Sequence, residues 1–512
     1  MAVPSSRPER RLAVIDLGSN SFRLVVFDTA AGAWRRTDEI HQPVRIGEGM
    51  VATGKLGKAP MGRALDTLDV FAHFARASGL REDQIDGVAT SAIREADNGD
   101  VFLARARELT GLPIRVLSRE QEAHYGYLAA VNSTTLADGC VLDLGGGSMQ
   151  LVQVTGRHAT ESESWRLGAV RMTERFLPGA GPHKRRAMDE LRAHVATKLE
   201  RAPWIPRCGQ RLVGIGGTVR NLAVAVQKAQ DLPSLGVQGQ VISQEALDDL
   251  VERLAALPTA ERKTVPGIKP ARSDLILAGA IVVQGVMRAG GFTGVEATEA
   301  GLREGVFFES LLQEAGDPPL MEDVRRASVL NLATQYHVDP AHTEHVAKLA
   351  LGLFDELAAC DLHPGDKIER ELLWAACCLH DIGMSVDYDD HHKHSRYLIL
   401  SAGLPGFTPT EVAVIAQAAR YHRKGTPDPG PLAALMDQTA QERLNRLAAL
   451  LRLAEDLERA RDQSVRAVQV KARGDEVRLT LDADEAIALP RWAAQREVDL
   501  FARAFGRTLV VR

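Results

Sequence analysis

Aromatic residues are scarce, at 5% of the 512 positions, in a chain whose other proportions (45% hydrophobic, 25% charged) are those of an ordinary soluble globular protein. Cysteine is also sparse. Cys140, Cys208, Cys360, Cys377 and Cys378 never stand at CxxC spacing, which excludes a zinc ribbon and a secreted disulfide framework and fits a reducing, cytoplasmic setting. No run approaches the ~20 apolar residues that a membrane span needs, and MAVPSSRPERR leads into no apolar stretch of the secretory-signal type. A net charge of −5 gives no blanket attraction to nucleic acid, so any anion binding rests on local groups. The length exceeds a single core and predicts roughly three to four domains.

The pattern along the chain is repetitive. RLAVIDLGSNSFRLVVFD, residues 11–28, reads as two apolar strands about a Gly-Ser-Asn-Ser turn. The same grammar returns in GCVLDLGGGSMQLVQV, residues 139–154, which implies two related half-domains. A third strand with a glycine turn, RLVGIGGTVRNLAVAV at 211–226, runs into a helical pattern. The prolines of GDPPL, 316–320, end a helix, and amphipathic helices follow to about Arg461 before the alternation of VRAVQV and EVRLTL restores strands. The reading is α/β: lobe I at 1–131, lobe II at 132–315, an all-α domain at 316–463 and a small α+β piece at 464–512.

Paired glycine turns suit a chain of phosphates, because successive backbone N–H groups can approach the oxygens closely. Gly145, Gly146, Gly147 and Ser148 form one such turn, Ser19, Asn20 and Ser21 another, and Gly216, Gly217 and Thr218 a third. Asp16 and Asp143 end the two related strands, where a carboxylate can hold a metal or a water. A single turn of this kind is most simply a bend in a sheet; three of them argue for a site.

DLGSNS near the start, DLGGGS further on, TSAIREADNG at 90–99, SREQEAHYGYLAAV at 118–131, GIGGTVRNLA at 214–223 and ARSDLILAGA at 271–280 together resemble the Ppx/GppA phosphatases. The resemblance implies two actin-like (ribonuclease H-like) lobes and, as in the long members, an HD-like helical domain. It also implies cleavage of the terminal phosphoanhydride of inorganic polyphosphate or of pppGpp, with a kinase, an ATPase or a nucleotide sensor as rival readings. Arg94 and Arg272 match family arginines that contact substrate phosphates, and a guanidinium fork suits that role.

Hydrolysis also needs a group that orients or deprotonates water. Ser118 and Gln121 fit a capping box that places Glu120 and Glu122 in the first turn of a helix, where either carboxylate could simply complement the helix dipole. Glu122 shares its face with Gly126 and Ala129, a face that permits close approach, and the Glu-Ala end of the family segment falls on Glu122 and Ala123. Glu122 is therefore the expected base and Glu120 the fallback, since Arg119 and Gln121 depart from the family pattern. Mg²⁺ is the expected cofactor, with Asp143 as its first ligand.

His342, His380, Asp381 and Asp456 have the order of an HD metal site, with His391, His392 and His394 nearby; packing histidines in a scaffold are the simpler reading. Arg420, Arg423 and Lys424, beside Tyr421 and His422, are candidate contacts to a long polyanion. The family also implies a homodimer.

Overall fold

The computed structural model describes residues 10–30, 32–314, 316–483 and 487–512. The chain divides into two compact units: one runs to Asp231 and takes in Gly236–Val324, and the other consists of Leu232–Leu235 with Arg325–Arg512.

The first unit contains two sheets of one design. In the first, β1 (Arg10–Leu17), β2 (Phe22–Ala30) and β3 (Ala33–Gln42) form an antiparallel meander, and β4 (Ile85–Ala89) and β5 (Ile114–Val116) add in parallel beyond β1. In the second, β6 (Gly139–Leu144), β7 (Met149–Thr155) and β8 (His158–Trp165) repeat the meander. β9 (Leu212–Ile215) then lies parallel to β6, β10 (Gln240–Ser243) is the edge strand, and β11 (Gly294–Ala297) lies parallel to β9. β1 and β6 are buried along nearly their whole length, as strands covered on both faces must be, which explains why AVI and VL precede each Asp without polar alternation.

The lobes do not divide at one point in the sequence. Helix Leu302–Leu311 returns to the first sheet, where Phe307 stacks on Phe27 at 4.2 Å between ring centroids. It also packs tightly on helix Arg119–Val131: a Cβ on Gly305 would fall 2.0 Å from the Tyr125 carbonyl oxygen. That contact carries Arg303 to the end of β1, 3.0 Å from Asp16.

The second unit is built on six helices, Val324–Gln335, Pro340–Ala359, Lys367–Leu379, His391–Ala402, Pro409–Arg420 and Gln438–Leu457, several started by side-chain caps from Asp339, Asp366, Thr408 and Asp437. The strands β12 (Val465–Arg473), β13 (Glu476–Ala483) and β14 (Thr508–Val511) share one hydrophobic core with those helices. Val465, Val477 and Leu479 are as fully buried as Leu447 and Leu450, so the sheet of 464–512, together with the short helices Ala488–Gln495 and Val498–Phe505, completes the helical core. No helix among the described residues is long and apolar enough to cross a membrane.

Gly305→Ala should force the two helices apart against backbone and lower the melting temperature, whereas Gly62→Ala, at an exposed helical position with open space, should raise stability by about 0.5–1 kcal/mol. Thermal and denaturant melts of the two variants check this.

Candidate active site

β1 and β6 deliver equivalent residues to one place. Asp16 and Asp143 are each the penultimate residue of their strand, and each is followed by a turn closed by a backbone hydrogen bond, Gly18 N to Ser21 O at 3.2 Å and Gly145 N to Ser148 O at 3.0 Å. Both turns open on a cleft of about 790 Å³, open mouth included. Ser19, Asn20 and Ser21 line one wall and Gly145, Gly146 and Ser148 the facing one. The turns nearly touch: a Cβ on Gly146 would fall 3.2 Å from that of Ser19, and one on Gly147 2.9 Å from Ser19 Oγ.

The third segment supplies the N-terminus of helix Gly217–Ala229, so free backbone N–H groups and the positive end of the helix dipole meet the cleft at Gly216 and Gly217. Gly216 has φ 95°, a conformation that favours glycine. Gly217 lacks a side chain because the Arg272 guanidinium occupies that space, with Nη2 2.1 Å from where a Cβ would be.

Two residues expected to bind phosphate, Gly147 and Thr218, do not line the cleft with their side-chain positions. Gly147 lies behind the wall, where a Cβ would fall 2.6 Å from Ser91 Oγ, so its bareness serves the approach of the two turns. Thr218 is 2% exposed and packs under Gly279, since the first residues of its helix turn it into the core.

Arg272 does line the cleft, and with it come Arg23, Arg220 and Arg303, which sequence reasoning missed. Their signal was weak but present. Arg23 follows the first turn by two residues, Arg220 stands inside GGTVR, and Arg303 begins a helix far away in sequence. These guanidinium groups repel one another in a desolvated space. Burial and then Arg303 lower Arg23 to about 10, and burial and then Arg23 lower Arg272 to about 10. His41 is pushed down to about 4 by burial and by Arg23 and Arg272. A site that so disfavours its own cations is built to receive anionic charge.

Arg94, expected to touch substrate, instead lies against Glu122. Its Nη1 is 2.8 Å from Glu122 Oε2 and donates to the Leu117 carbonyl at 2.8 Å. Ser118 and Gln121 form the capping box that starts helix Arg119–Val131. Glu122 is 6% exposed and lines the cleft, while Glu120 points to solvent. Ser148 donates to Glu122 Oε1 at 3.1 Å, so the second glycine turn also orients this carboxylate. Gly126, one turn along, faces Asp143 and Ile215. Burial raises the Glu122 carboxyl above its ordinary range, against the opposing pull of Arg94 and Ser148.

Asp16, Glu122 and Asp143 thus bring carboxylates together on the cleft floor, and only Asp16 has an arginine, Arg303, in direct contact at 3.0 Å besides the Arg94–Glu122 pair. Burial first, then Glu122 and Asp16, push Asp143 up to about 7. Carboxylates lining a phosphate cradle are the hard oxygen donors that Mg²⁺ takes together with substrate oxygens and water, although these three do not form a close ligand triad among the described residues.

In the second unit the histidines converge, with one change from expectation. Asp456 points away, toward Arg459 at 3.3 Å, and its carboxyl is raised to about 7 by burial and by Glu497. Glu455, one residue earlier on the helix, takes the inward place beside His342 and His380. His422 joins the group, whereas His392 and His394 stand outside the two ligand triads found among the described residues.

A carboxyl that ionises near 4 in the unfolded chain and about 7 in the fold disfavours folding increasingly as pH rises between those values. Asp143→Asn should therefore raise the melting temperature in chelator, more at pH 8 than at pH 5. Mg²⁺ should stabilise the parent protein more than this variant. Equal shifts at both pH values would remove Asp143 as the strained group.

Comparison with known proteins agrees with this arrangement. The model of the Ppx/GppA phosphatase family matches residues 25–314, and that of Ppx/GppA phosphatase domain III matches 324–494. The solved structure of a Ppx/GppA family member from Aquifex aeolicus is 26% identical, with a TM-score of 0.52 over 60% of this chain and 100% of that one. An exopolyphosphatase from Cytophaga hutchinsonii is 21% identical, with a TM-score of 0.55 over 59% of this chain and 98% of the other, and shares the fold. An exopolyphosphatase-like protein is 26% identical, with a TM-score of 0.53 over 59% and 97%. The first unit has the paired α/β lobes expected from its repeated turns, followed by a helical region and a small C-terminal sheet. With more than half of its length matched by the family model, the chain belongs to the Ppx/GppA phosphatase family.

Proposed function

We propose that this protein is an exopolyphosphatase that releases orthophosphate from the end of inorganic polyphosphate, with Glu122 as general base. The observation that carries this reading is the placement of Glu122: a buried carboxylate of raised pKa, oriented by Ser148 and Arg94, at the floor of a cleft walled by glycine turns and arginines. A base poised nearer neutrality accepts a proton from water more effectively than an ordinary carboxylate. Water held at Glu122 gives up its proton to the carboxylate as its oxygen attacks the terminal phosphorus, and the bond to the bridging oxygen breaks in line.

The developing charge on the phosphoryl oxygens faces Arg272, Arg23 and the N-terminus of helix Gly217–Ala229. Ser19, Asn20 and Gly146 add donors around the phosphates. Mg²⁺, held by Asp143, would supply further neutralisation of the phosphate oxygens.

Four arginines in the lining suit a dense polyanion.

Phosphate release from long polyphosphate, pppGpp and ATP, measured side by side with Mg²⁺, tests the substrate. Polyphosphate should have the highest kcat/KM, and a preference for pppGpp would overturn the proposed substrate while leaving the hydrolytic site in place. Glu122→Gln should cut kcat by about 10²–10⁴-fold with polyphosphate affinity preserved, and Glu120→Gln should leave turnover near normal. Loss of activity only in the Glu120 variant would move the base. Chelator should stop turnover, and Asp143→Asn should raise the Mg²⁺ concentration required; metal-independent hydrolysis would remove the cation from the reaction.

A further inference from the structure

The second unit carries a cluster that the phosphatase cleft does not use. Five helices or helix ends bring six side chains to one buried point. His342 comes from the first turn of Pro340–Ala359, His380 and Asp381 from just past Lys367–Leu379, and His391 from the start of His391–Ala402. His422 follows Pro409–Arg420, and Glu455 lies on Gln438–Leu457. The four imidazoles are at most 5% exposed, Asp381 7% and Glu455 18%.

Hydrogen bonding settles which ring nitrogens face inward. Nδ1 of His380 lies 2.6 Å from the Cys377 carbonyl, that of His422 2.7 Å from Ala419, and that of His391 2.9 Å from Tyr388. A carbonyl can only accept, so each Nδ1 carries the hydrogen, and in the neutral ring that a metal binds each Nε2 presents a lone pair. Arg423 Nη1 also approaches His391 Nδ1, at the longer distance of 3.3 Å.

The inward atoms then meet lone pair to lone pair. His391 Nε2 and His422 Nε2 are 3.1 Å apart, and both lie near Asp381 Oδ1, at 3.3 and 3.6 Å. On the other side, His342 Nε2 and His380 Nε2 stand 3.1 and 3.2 Å from Glu455 Oε2 and 3.8 and 3.7 Å from the Asp381 carboxylate. His342 Nε2, His380 Nε2 and Glu455 Oε2 are buried without a properly directed hydrogen bond among the described residues. Leaving such groups buried and unpaired is unfavourable. Arg461, 2.8 Å from Asp381 Oδ2, supplies a cation in contact with that carboxylate.

Metal coordination resolves all of these contacts at once. Donors about 2.1 Å from a shared ion lie roughly 3.0–3.4 Å from one another in octahedral or tetrahedral shells, close to the spacings observed. Carbonyl acceptors on Nδ1 are the outer partners that fix metal-binding imidazoles.

We propose that this unit binds two divalent first-row transition-metal ions, one between His342, His380, Glu455 and Asp381 and one between Asp381, His391 and His422, with Asp381 bridging them. The imidazole-rich donor set selects Mn²⁺, Fe²⁺ or Zn²⁺, whereas the all-oxygen set at Asp143 suits Mg²⁺.

The test is the metal content of tag-free, full-length protein after desalting, read by elemental mass spectrometry and repeated after chelation and reloading with Mn²⁺ or Zn²⁺. Two transition-metal equivalents per chain are expected. His391→Ala/His422→Ala should retain one, and Asp381→Ala should lose both. Loading should raise the melting temperature of the parent protein, and X-ray absorption should show a shell with imidazole nitrogens. The parent protein's reloading and melting shift stand even if a variant fails to fold. A parent protein that takes up no transition metal, or takes up a single ion, overturns the paired site, as does unchanged content in folded variants. Because Mg²⁺-dependent phosphate release reads the other cleft, its loss or retention bears on the proposed phosphatase reaction and leaves the metal count unaffected.

Discussion

Burying Glu122 beside other acids is the constraint around which the first unit is arranged. A carboxylate out of water is unfavourable unless something holds its charge, and here Arg94 and the Ser148 hydroxyl do so from opposite sides. Arg94 comes from the short helix after β4, Ser148 from the turn after β6, and Glu122 from the helix between the two sheets. The ion pair therefore ties the two sheets together at the floor of the cleft. The same logic pairs Asp16 with Arg303, and it requires the bare backbone at Gly305 that lets the distant helix come close. Burial, with Glu122 and Asp16 nearby, leaves the Asp143 carboxyl raised to about 7.

The cleft carries excess charge of both signs, held apart. Carboxylates occupy the floor, while Arg23, Arg220 and Arg272 stand on the wall side with depressed proton affinity. Neither set neutralises the other fully, so a polyanion relieves the wall and a cation relieves the floor. A phosphate chain accompanied by a divalent ion is a ligand that does both. In the second unit the strain has a different chemistry, because imidazole lone pairs face one another around Asp381 and call for a softer ion.

Much of this was legible in linear order. The two Asp-Leu-Gly turns, the strands on each side of them and the glycine turn of the third segment follow from local apolar runs and breakers, and the structure repeats one meander at both. The face of helix Arg119–Val131 also followed from its own periodicity: Glu122 and Gly126 point inward and Glu120 outward because residues four apart share a side. Roles that depend on what lies opposite a residue were not legible. Gly147 and Thr218 belong to motifs, yet one gives room to Ser91 and the other fills a core, since a motif specifies backbone path and not what packs against it.

Local sequence set where each turn, strand and helix of this protein begins, and which residue types stand ready at their ends, because propensity and capping act over a few neighbours. Long-range packing chose among those candidates. It carried Arg303 back to Asp16 from 287 positions away and set Arg94 beside Glu122. It also put Glu455 in the place that spacing had suggested for Asp456, a difference of one residue and about 100° around a helix. No local rule contains that angle, since it depends on which side of helix Gln438–Leu457 faces the core that the other helices build.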